Sequence, residues 1–338
     1  MKVATAFSGG LAACEWALKY EELEHEVVFA CEWDKYARKQ YLSFHGEPTS
    51  NFYEDIQDLD ATPYLNKIDL FVFGSPCQDL SLAGKRKGFL GEKSSLFRHG
   101  ARVLEEMMPK VFIFENVKGL LSSNKGADYA EVIKTFQDMG YLIQMKVLNA
   151  KEHGTAQNRE RVFIVGFLDE DAYHAFNFEE PIPLTKVLRD YIDDEVEEKY
   201  YLSEKMIKGF IESMVATNIK DSVRKNFVRD YEEIIKSDKP IFYSDCESGF
   251  QDNKVCLTES ACLRANNSDL FTLDRQFRIR RLIPRECGRL MGMRDEDINI
   301  VLSDSQAYKI FGNGIEINTI RSIVRGLYKP KAKLDTLF

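Results

Sequence analysis

The sequence predicts an α/β protein with a parallel, doubly wound sheet and a second, smaller, irregular domain. Two observations predict this: short apolar runs alternate with amphipathic helical patterns in the first half of the chain, and the alternation stops near residue 181. The runs are near-continuous, which is typical of strands covered on both faces. Strand–helix repetition favours parallel pairing. The predicted strands are residues 2–7, 26–33, 69–74, 111–116 and 161–167.

Amphipathic stripes predict the helices. An apolar stripe over residues 97–108 is followed by Pro109, and a second stripe over 129–139 is followed by Gly140. Apolar residues at helical spacing mark a buried face, and a proline or glycine marks the end of a helix. A last stripe over 317–327 predicts a final helix.

The pattern changes at Pro181 and Pro183. An acidic and then helical segment follows, and between residues 215 and 275 only 241–245 and 254–258 are candidates for short strands. We therefore expect two domains, with residues 1–180 and 281–338 forming the first and residues 181–280 forming the second.

Composition and charge restrict the class of protein. The 338 residues are 44% hydrophobic and 30% charged, as in soluble globular proteins. We find no membrane-spanning run and no signal peptide, so we expect a cytoplasmic protein. Seven scattered cysteines without a CxxC pair predict reduced thiols and no metal site. The net charge of -8 argues against nucleic-acid binding over the whole surface but leaves a local basic cleft open.

Ligands bind at the carboxyl ends of strands in open α/β sheets, so residues there are functional candidates. The first strand ends in the small-residue turn FSGG, residues 7–10, which lets a ligand approach the backbone. The second ends at Glu32. Binding of a ribose diol and an ordinary surface role are equally good interpretations of this acid. Asp55 and Ile56 follow, and on those two residues alone a solvated loop is favoured over an adenine site.

A cysteine, an acid and two arginines follow the next strands. Cys77 comes after the strand at 69–74, and Glu115 ends the strand at 111–116. Arg159 and Arg161 lie two residues apart, which in an extended chain points both side chains to one face. Each residue alone is more often structural, since free cysteine is often simply buried. Together at successive strand ends they indicate one reactive site.

Eight segments, in order along the chain, resemble the motifs of the cytosine-5 DNA methyltransferases. They are FSG, CEWD, EDI, GSPCQDLSLAGKRKGF, ENVKGLL, AQNRER, RRLIPRECGRLMG and YKIFGNG. The resemblance covers nearly all of residues 1–180 and 278–320. It implies a Rossmann-like methyltransferase fold, with a target-recognition domain at 181–280. The first turn, FSGGLAACE, has alanines where the family usually has more glycine, so we expect a slightly different loop path.

The resemblance also implies a reaction. A methyl group passes from S-adenosylmethionine to C5 of a cytosine that is flipped out of duplex DNA. Cys77 matches the nucleophile that adds to C6 and makes C5 reactive. Glu115 matches the acid that stabilises N3, Arg161 matches the residue that fixes O2 of the base, and Arg159 is expected to meet backbone phosphate.

Further residues match the family's binding positions. Cofactor contacts are implied for Phe7, Ser8, Gly9, Glu32, Trp33, Asp55, Ile56, Pro76, Leu96 and Asn313. DNA contacts are implied for Gln78, Ser81, Lys85, Arg86 and Lys87. The basic loop over residues 81–91 is expected to close behind the flipped base. Candidates for phosphate contacts are Arg275, Arg278, Arg280, Arg281, Arg285 and Arg289. An internal pair of Arg285 with Glu286 is an equally good interpretation.

Other functions stay open at this point. A tRNA cytosine-5 methyltransferase shares the Pro-Cys and Glu-Asn-Val motifs, but the sizeable region at 181–280 favours DNA. A catalytically silent DNA-binding regulator is disfavoured by the intact catalytic residues, and a dehydrogenase by the missing GxGxxG. We expect a monomer that acts on double-stranded DNA away from membranes. The target sequence and a cognate restriction endonuclease are left open.

Overall fold

The computed structural model describes residues 1–75, 95–186, 188–203, 205, 242–243, 255–256, 271–273 and 279–328. The chain divides into two units. The first comprises Met1–His153, Arg159–Ile182 and Gly314–Phe338, and the second comprises Gly154–Asn158 and Pro183–Asn313. The second unit thus takes in residues 281–313, which the sequence grouped with the first domain. Which unit recognises a DNA target stays a prediction.

Seven strands form the sheet of the first unit. They are β1 (Lys2–Ala6), β2 (Glu26–Cys31), β3 (Asn51–Tyr53), β4 (Leu70–Phe73), β5 (Val111–Val117), β6 (Leu142–Asn149) and β7 (Glu160–Phe167). Their order across the sheet is β3-β2-β1-β4-β5-β7-β6. The strand order reverses beside β1, which pairs with β2 on one side and β4 on the other, as in doubly wound folds.

The strand directions correct one part of the sequence prediction. β1 to β5 pair in parallel, but β7 runs antiparallel to both β5 and β6. Residues 150–159 link β6 to β7 without an α-helical crossover, so β7 returns in the opposite direction. The sheet is therefore mixed, and the prediction of a wholly parallel sheet is wrong.

The described chain contains helices in both units. In the first unit these are α1 (Ala13–Tyr20), α2 (Lys35–His45), α3 (Ser95–Met107), α4 (Ala127–Asp138) and α5 (Glu170–Ala175). Helices α6 (Pro284–Leu290) and α7 (Asp304–Asn313) belong to the second unit, and α8 (Ile317–Tyr328) belongs to the first. Short 3₁₀ segments span Thr62–Tyr64, Lys118–Gly126, Ala150–His153, Leu188–Tyr191, Glu198–Tyr200 and Asp295–Asp297. The three predicted helical stripes are confirmed as α3, α4 and α8.

Helix α8 packs against α1, the helix that follows the first strand. Arg321 and Arg325 of α8 both form ion pairs with Glu21 at the end of α1, at 2.8 and 2.9 Å. The guanidinium group of Arg321 also lies over the ring of Tyr20. The two ends of the chain therefore meet in one unit, through the contact between α8 and α1.

Phenylalanine rings fill the core of the first unit. The rings of Phe71 and Phe73 on β4 stack with their centroids 4.8 Å apart, and Phe112 of β5 lies 4.6 Å from Phe136 of α4. Gly166 of β7 faces Phe112 so closely that a Cβ there would lie 2.0 Å from its Cε1. The apolar runs form strands because the sheet buries these large rings.

The second unit contains a small sheet and a buried ion pair. Strands β8 (Phe242–Tyr243), β9 (Val255–Cys256), β10 (Phe271–Leu273) and β11 (Ile279–Arg281) pair antiparallel in the order β11-β10-β8-β9. β8 and β9 confirm the two short strand candidates. Glu286 accepts hydrogen bonds from Arg280 at 2.9 and 2.7 Å, and from the backbone N–H of Ile283, where α6 begins.

None of the helices in the described ranges has both the length and the apolar character to cross a membrane.

Candidate active site

Glu32 joins the turn after β1 to the end of β2. The backbone N–H of Gly9 donates to Glu32 Oε2 at 2.8 Å, and that of Asp34 donates to Oε1 at 2.9 Å. Burial raises the pKa of Glu32, and these two N–H groups oppose the rise. Phe7 and Gly9 have φ values of 53° and 65°, so the turn is tight. Each carboxylate oxygen keeps a further lone pair and can accept a ribose hydroxyl.

Trp33 presents an exposed indole next to this carboxylate. Its side chain is 73% exposed. Arg38 fixes the backbone beneath it, because Nη1 donates to the carbonyls of Trp33 and Glu32 at 2.7 and 2.9 Å and Nη2 pairs with Glu54 at 3.0 Å. An exposed indole on a fixed backbone offers a flat apolar face to a ligand. Sequence reasoning missed Arg38, since its partners are carbonyls that no motif marks.

Three apolar residues predicted at the cofactor pack on the main core. Phe7 and Leu96 are half-buried there, and Ile56 is fully buried. A Cβ on Gly100 of α3 would lie 3.1 Å from Cδ2 of Phe73 and 3.4 Å from Cε2 of Phe7, so this glycine lies against both rings. The carbonyl of Ile56 accepts a hydrogen bond from Arg102 at 2.8 Å. Phe7 and Leu96 thus keep part of their surface available.

The remaining predicted cofactor residues of the described chain lie at the ends of elements. Ser8 contacts the carbonyl of Cys31 through its N–H at 3.1 Å and its hydroxyl at 3.2 Å. Asp55 follows β3 and accepts from the N–H of Gln57 at 2.9 Å. Asn313 is exposed at the end of α7, in the second unit. The structure therefore brings Ser8 together with the Glu32 turn.

Glu115 is a mostly buried acid at the end of β5. Its side chain is 15% exposed, and Oε1 lies 3.0 Å from Nε of Arg161 on β7. Burial raises the pKa of Glu115 more than the guanidinium groups of Arg161 and Arg159 lower it. A carboxyl group in this state keeps its proton at a higher pH than an ordinary glutamate, as a general acid requires.

The ends of β4 and β5 lie side by side at this acid. A Cβ on Gly74 would lie 3.1 Å from Oε2 of Glu115. Asn116 Nδ2 donates to the carbonyl and hydroxyl oxygens of Ser75, at 3.4 and 3.2 Å. Cys77 follows Ser75 by two residues in the sequence. The carboxyl group of Glu115 therefore lies against the strand that leads to this cysteine.

Several predicted site residues lie outside the described residues. They are Pro76, Cys77, Gln78, Ser81, Lys85, Arg86, Lys87, Arg275 and Arg278.

The two arginines after β6 have different surroundings. Arg161 is partly exposed and donates from Nη1 to the carbonyl of Glu160 at 2.8 Å. Arg159 is 5% exposed; its N–H donates to Oδ1 of Asn149 and its Nη2 donates to the carbonyl of Gly314 at 2.6 Å. The structure thus pairs Arg161 with the acid of the site and gives Arg159 an internal bond. A phosphate contact by Arg159 stays a prediction.

The arginine run of the second unit is held by carboxylates. Arg285 pairs with Asp295 at 2.6 Å, and Arg289 pairs with the same carboxylate. Glu286 pairs with Arg280, so the interpreted pair of Arg285 with Glu286 is wrong. Adjacent residues on a helix point in different directions, which prevents that pair. These internal pairs weaken the case for phosphate contacts by the three arginines.

In the part of the chain that the structure describes, no group of three or more His, Cys, Asp or Glu side chains is placed to hold a metal ion.

A seven-stranded mixed sheet of this order, with one acid at the end of β2 and another at the end of β5, defines a Rossmann-like methyltransferase. Residues 3–329 match the family of C-5 cytosine-specific DNA methylases, and the chain belongs to that family. By class it is a DNA (cytosine-5-)-methyltransferase. The fold class and the enzyme class predicted from the sequence are confirmed.

Individual relatives agree with this assignment. The chain is 32% identical over 312 residues to the type II methyltransferase M.DsaV of Dactylococcopsis salina, covering 91% of this chain and 81% of that protein. It is 32% identical over 310 residues to M.Bsp6I of Bacillus sp., covering 90% and 91%. Among solved structures, Dnmt2 methyltransferase of S. pombe superposes with a TM-score of 0.67 at 17% identity, over 98% of this chain and 99% of that one. That likeness shows the fold.

Proposed function

We propose that this protein transfers a methyl group from S-adenosylmethionine to C5 of a cytosine flipped out of double-stranded DNA, through a transient bond between Cys77 Sγ and C6. The observation that supports this most is the mostly buried Glu115, which lies against Gly74 just before the cysteine in sequence. Attack on C6 moves negative charge towards N3 of the base. An acid with a raised pKa can donate a hydrogen bond to that atom.

The first unit has side chains that fit the adenosine part of the cofactor. Glu32 has lone pairs for the ribose hydroxyls, the exposed indole of Trp33 and the half-buried ring of Phe7 offer apolar faces, and Asp55 offers a carboxylate for the adenine amine. These residues would bind and orient the group. When bound, S-adenosylmethionine supplies the methyl group that C5 takes up.

The protein's own groups perform the remaining steps. The Cys77 thiolate adds to C6, and Glu115 holds N3 while the ring becomes an enamine. A free thiol has a pKa of about 8.5, so the thiolate must be stabilised in the site. After C5 is methylated, its proton passes to solvent and the C5–H electron pair forms the C5–C6 double bond. The Sγ–C6 bond breaks, and its electron pair returns to sulfur. Arg161 fixes the base and stabilises the ionised form of Glu115 when its proton moves towards N3.

DNA recognition completes the proposal. A stacked cytosine cannot reach the site, so the base must leave the helix. Gln78, Ser81 and the basic residues of the 81–91 loop would contact the opened duplex and its phosphates. The named relatives in the curated comparison come from bacteria and phages, and we propose that the activity is cytoplasmic. We also propose that the protein acts as a monomer. Their names include both type II and orphan methyltransferases, which leaves a cognate endonuclease open.

Methyl transfer from labelled S-adenosylmethionine tests the proposal. Duplex DNA and tRNA are offered separately to the wild type, to Cys77→Ser and to Cys287→Ala, a matched control at a buried cysteine of α6. We expect label on duplex DNA with the wild type and the control, and none with Cys77→Ser. Label on tRNA alone would exclude DNA as the substrate.

A fluorinated-cytosine duplex tests the covalent step. Fluorine at C5 leaves no proton to lose, so the enzyme stays bonded to the base after methylation. We expect a complex that survives denaturation with the wild type and none with Cys77→Ser. Turnover by Cys77→Ser at the wild-type rate would refute the mechanism while leaving the family assignment intact.

A further inference from the structure

A buried acid that the proposed mechanism does not use lies in α1. The carboxyl group of Glu15 is 2% exposed, and its Oε1 is 3.2 Å from Oγ1 of Thr5 and 2.9 Å from the hydroxyl of Tyr41. Its Oε2 is also buried and has no hydrogen-bond partner among the described residues. A buried carboxylate without a cation beside it is unfavourable, so this arrangement needs a physical reason.

Hydrogen bonds connect Glu15 to the turn after β1. Thr5 Oγ1 lies 2.8 Å from Oγ of Ser8, and Ser8 Oγ lies 3.2 Å from the carbonyl of Cys31. Ser8 precedes Gly9, whose N–H donates to the carboxylate of Glu32. The chain of contacts therefore runs from the interior of α1 to the turn that is proposed to hold the cofactor.

Counting hydrogens along the path to the turn shows which form of Glu15 this path favours. Four contacts make up the path: Tyr41 with Glu15, Glu15 with Thr5, Thr5 with Ser8, and Ser8 with the Cys31 carbonyl. Thr5 also interacts with the Tyr41 hydroxyl, and the Glu15 carboxylate interacts with its own backbone N–H. The three hydroxyl groups supply one hydrogen each. If Glu15 is ionised, Thr5 donates to it, and the Ser8 hydroxyl can donate to Thr5 or to the Cys31 carbonyl but not to both. If Glu15 is protonated on Oε1, it donates to Thr5, and all four contacts of the path have a hydrogen.

We infer that Glu15 is a positioning residue, which as a neutral carboxylic acid holds the turn after β1 through Thr5 and Ser8, so that affinity for the S-adenosyl cofactor falls when Glu15 ionises. The inference rests on the proposed function, because it assigns the turn to that cofactor. Glu15 does not touch the cofactor and acts only through the hydroxyl chain.

The charges and titratable groups around Glu15 agree with this assignment. Burial raises the pKa of Glu15 to about 7, although a bond to its own backbone N–H and the hydrogen bonds from Tyr41 and Thr5 lower it. Burial also raises the pKa of the Cys14 thiol on the same helix and of the Tyr41 phenol on α2, so both stay neutral. The hydroxyl of Tyr328 on α8 is buried near Cys14, and burial raises its pKa as well.

Two other ionisable groups lie near this chain. The ring of His45 on α2 lies 5.3 Å from the Tyr41 ring, and Glu32 accepts from the turn itself. A variant of Glu15 keeps both groups. Any pH dependence that they, or the ligand, contribute therefore persists in that variant and can be subtracted.

Binding of S-adenosylhomocysteine, measured calorimetrically on the full chain without DNA, tests the inference. The pH runs from about 6 to about 8.5, which spans the ionisation of Glu15. For the wild type we expect affinity to fall roughly threefold to tenfold with rising pH, the effect of one net hydrogen bond. Glu15→Gln cannot ionise, and its amide can donate to Thr5 as the neutral acid does. This variant should lack the fall, apart from any pH dependence that the other groups and the ligand contribute.

Two more variants separate positioning from general stability. Tyr41→Phe removes a hydrogen bond that favours the ionised form, so the midpoint of the fall should move to higher pH. Cys14→Ala, a buried neighbour on the same helix, should keep the wild-type profile. The Tyr41→Phe result also decides the question if Glu15→Gln does not fold.

Each outcome has a distinct meaning. A Glu15→Gln profile that lacks the threefold to tenfold fall of the wild type, together with a raised midpoint for Tyr41→Phe, supports the inference. An unchanged fall in Glu15→Gln, or an unmoved midpoint in Tyr41→Phe, overturns it and leaves the proposed function standing. If the wild type binds no S-adenosylhomocysteine at any pH, cofactor use itself is wrong, and the inference is overturned with it.

Discussion

Replacing Glu115 by glutamine removes the proposed proton donor and keeps the shape of the side chain. The amide oxygen can still accept from Nε of Arg161, which lies 3.0 Å from the native carboxyl group. The fold should therefore persist, while N3 of the base loses its acid. Positioned general acids contribute roughly a hundredfold to ten-thousandfold in rate. We expect a loss of that size in kcat, or about 3 to 5 kcal/mol in the barrier.

The pH profile gives the sign of the effect. Because burial raises the pKa of Glu115, its protonated form persists above the ordinary range of a glutamate, near pH 4.3. Wild-type activity should fall as the pH rises through that raised pKa, since the ionised acid cannot donate. Glu115→Gln should lack this alkaline limb. The opposite limb, from deprotonation of the Cys77 thiol, should remain in both proteins.

The loss of rate in Glu115→Gln is measured by single-turnover transfer of labelled methyl groups to duplex DNA, because product release does not contribute to that rate. Glu160→Gln is the matched control, because this acid precedes Arg161 on the same strand but pairs with Lys118 at the surface. Exposed pairs are worth about 1 kcal/mol or less, so the control should stay within about twofold of the wild type. A Glu115→Gln rate within about tenfold of the wild type would refute the role assigned to this acid.

Three further predictions concern stability, measured by denaturant unfolding. Gly166→Ala should cost about 2 kcal/mol or more, because its Cβ would meet the ring of Phe112, and Phe112→Leu in the same chain should recover part of the loss. Arg280→Met should lower the free energy of unfolding by about 3 to 5 kcal/mol, because it leaves Glu286 buried without its cation. Replacing Glu286 by methionine in the same chain should restore most of this stability. Burial raises the pKa of Glu15 to about 7 in the folded protein. The stabilisation that the neutral acid gives the fold is therefore complete below the pKa of glutamate in the unfolded chain, and it is lost as the pH rises to 7. Relative to Glu15→Gln, the wild type should therefore lose about 3 kcal/mol between about pH 4.5 and 7, and parallel pH curves for the two proteins would contradict the assignment.

The sequence predicted the strands of the first unit well because each buried strand is a run of large apolar residues. It did not reveal β3, since Asn51–Tyr53 is too short to stand out from its loop. It also gave the wrong direction for β7. An apolar run indicates burial on both faces but says nothing about direction, which the short link over residues 150–159 decides.

Candidate site residues could be found where a motif and a strand end coincide, as for Glu32 and Glu115. Individual contacts that no motif marks could not be predicted. Arg38 holds the carbonyl of Trp33, five positions before it, and no pattern marks that bond. The Glu-Asn-Val motif includes Asn116, but its bond to Ser75, 41 positions away in sequence, forms only because the sheet brings the ends of β4 and β5 side by side.

Glu15 and Glu115 show why burial alone does not assign a role to an acid. Burial raises the pKa of both. Glu115 faces the guanidinium group of Arg161, which stabilises its ionised form, so a proton can leave and return at moderate cost. The contacts of Glu15 in the described structure are the hydroxyls of Thr5 and Tyr41, and ionisation there removes a hydrogen that the chain to Ser8 needs. The partner of each acid therefore decides whether its proton takes part in the reaction or holds the turn in place.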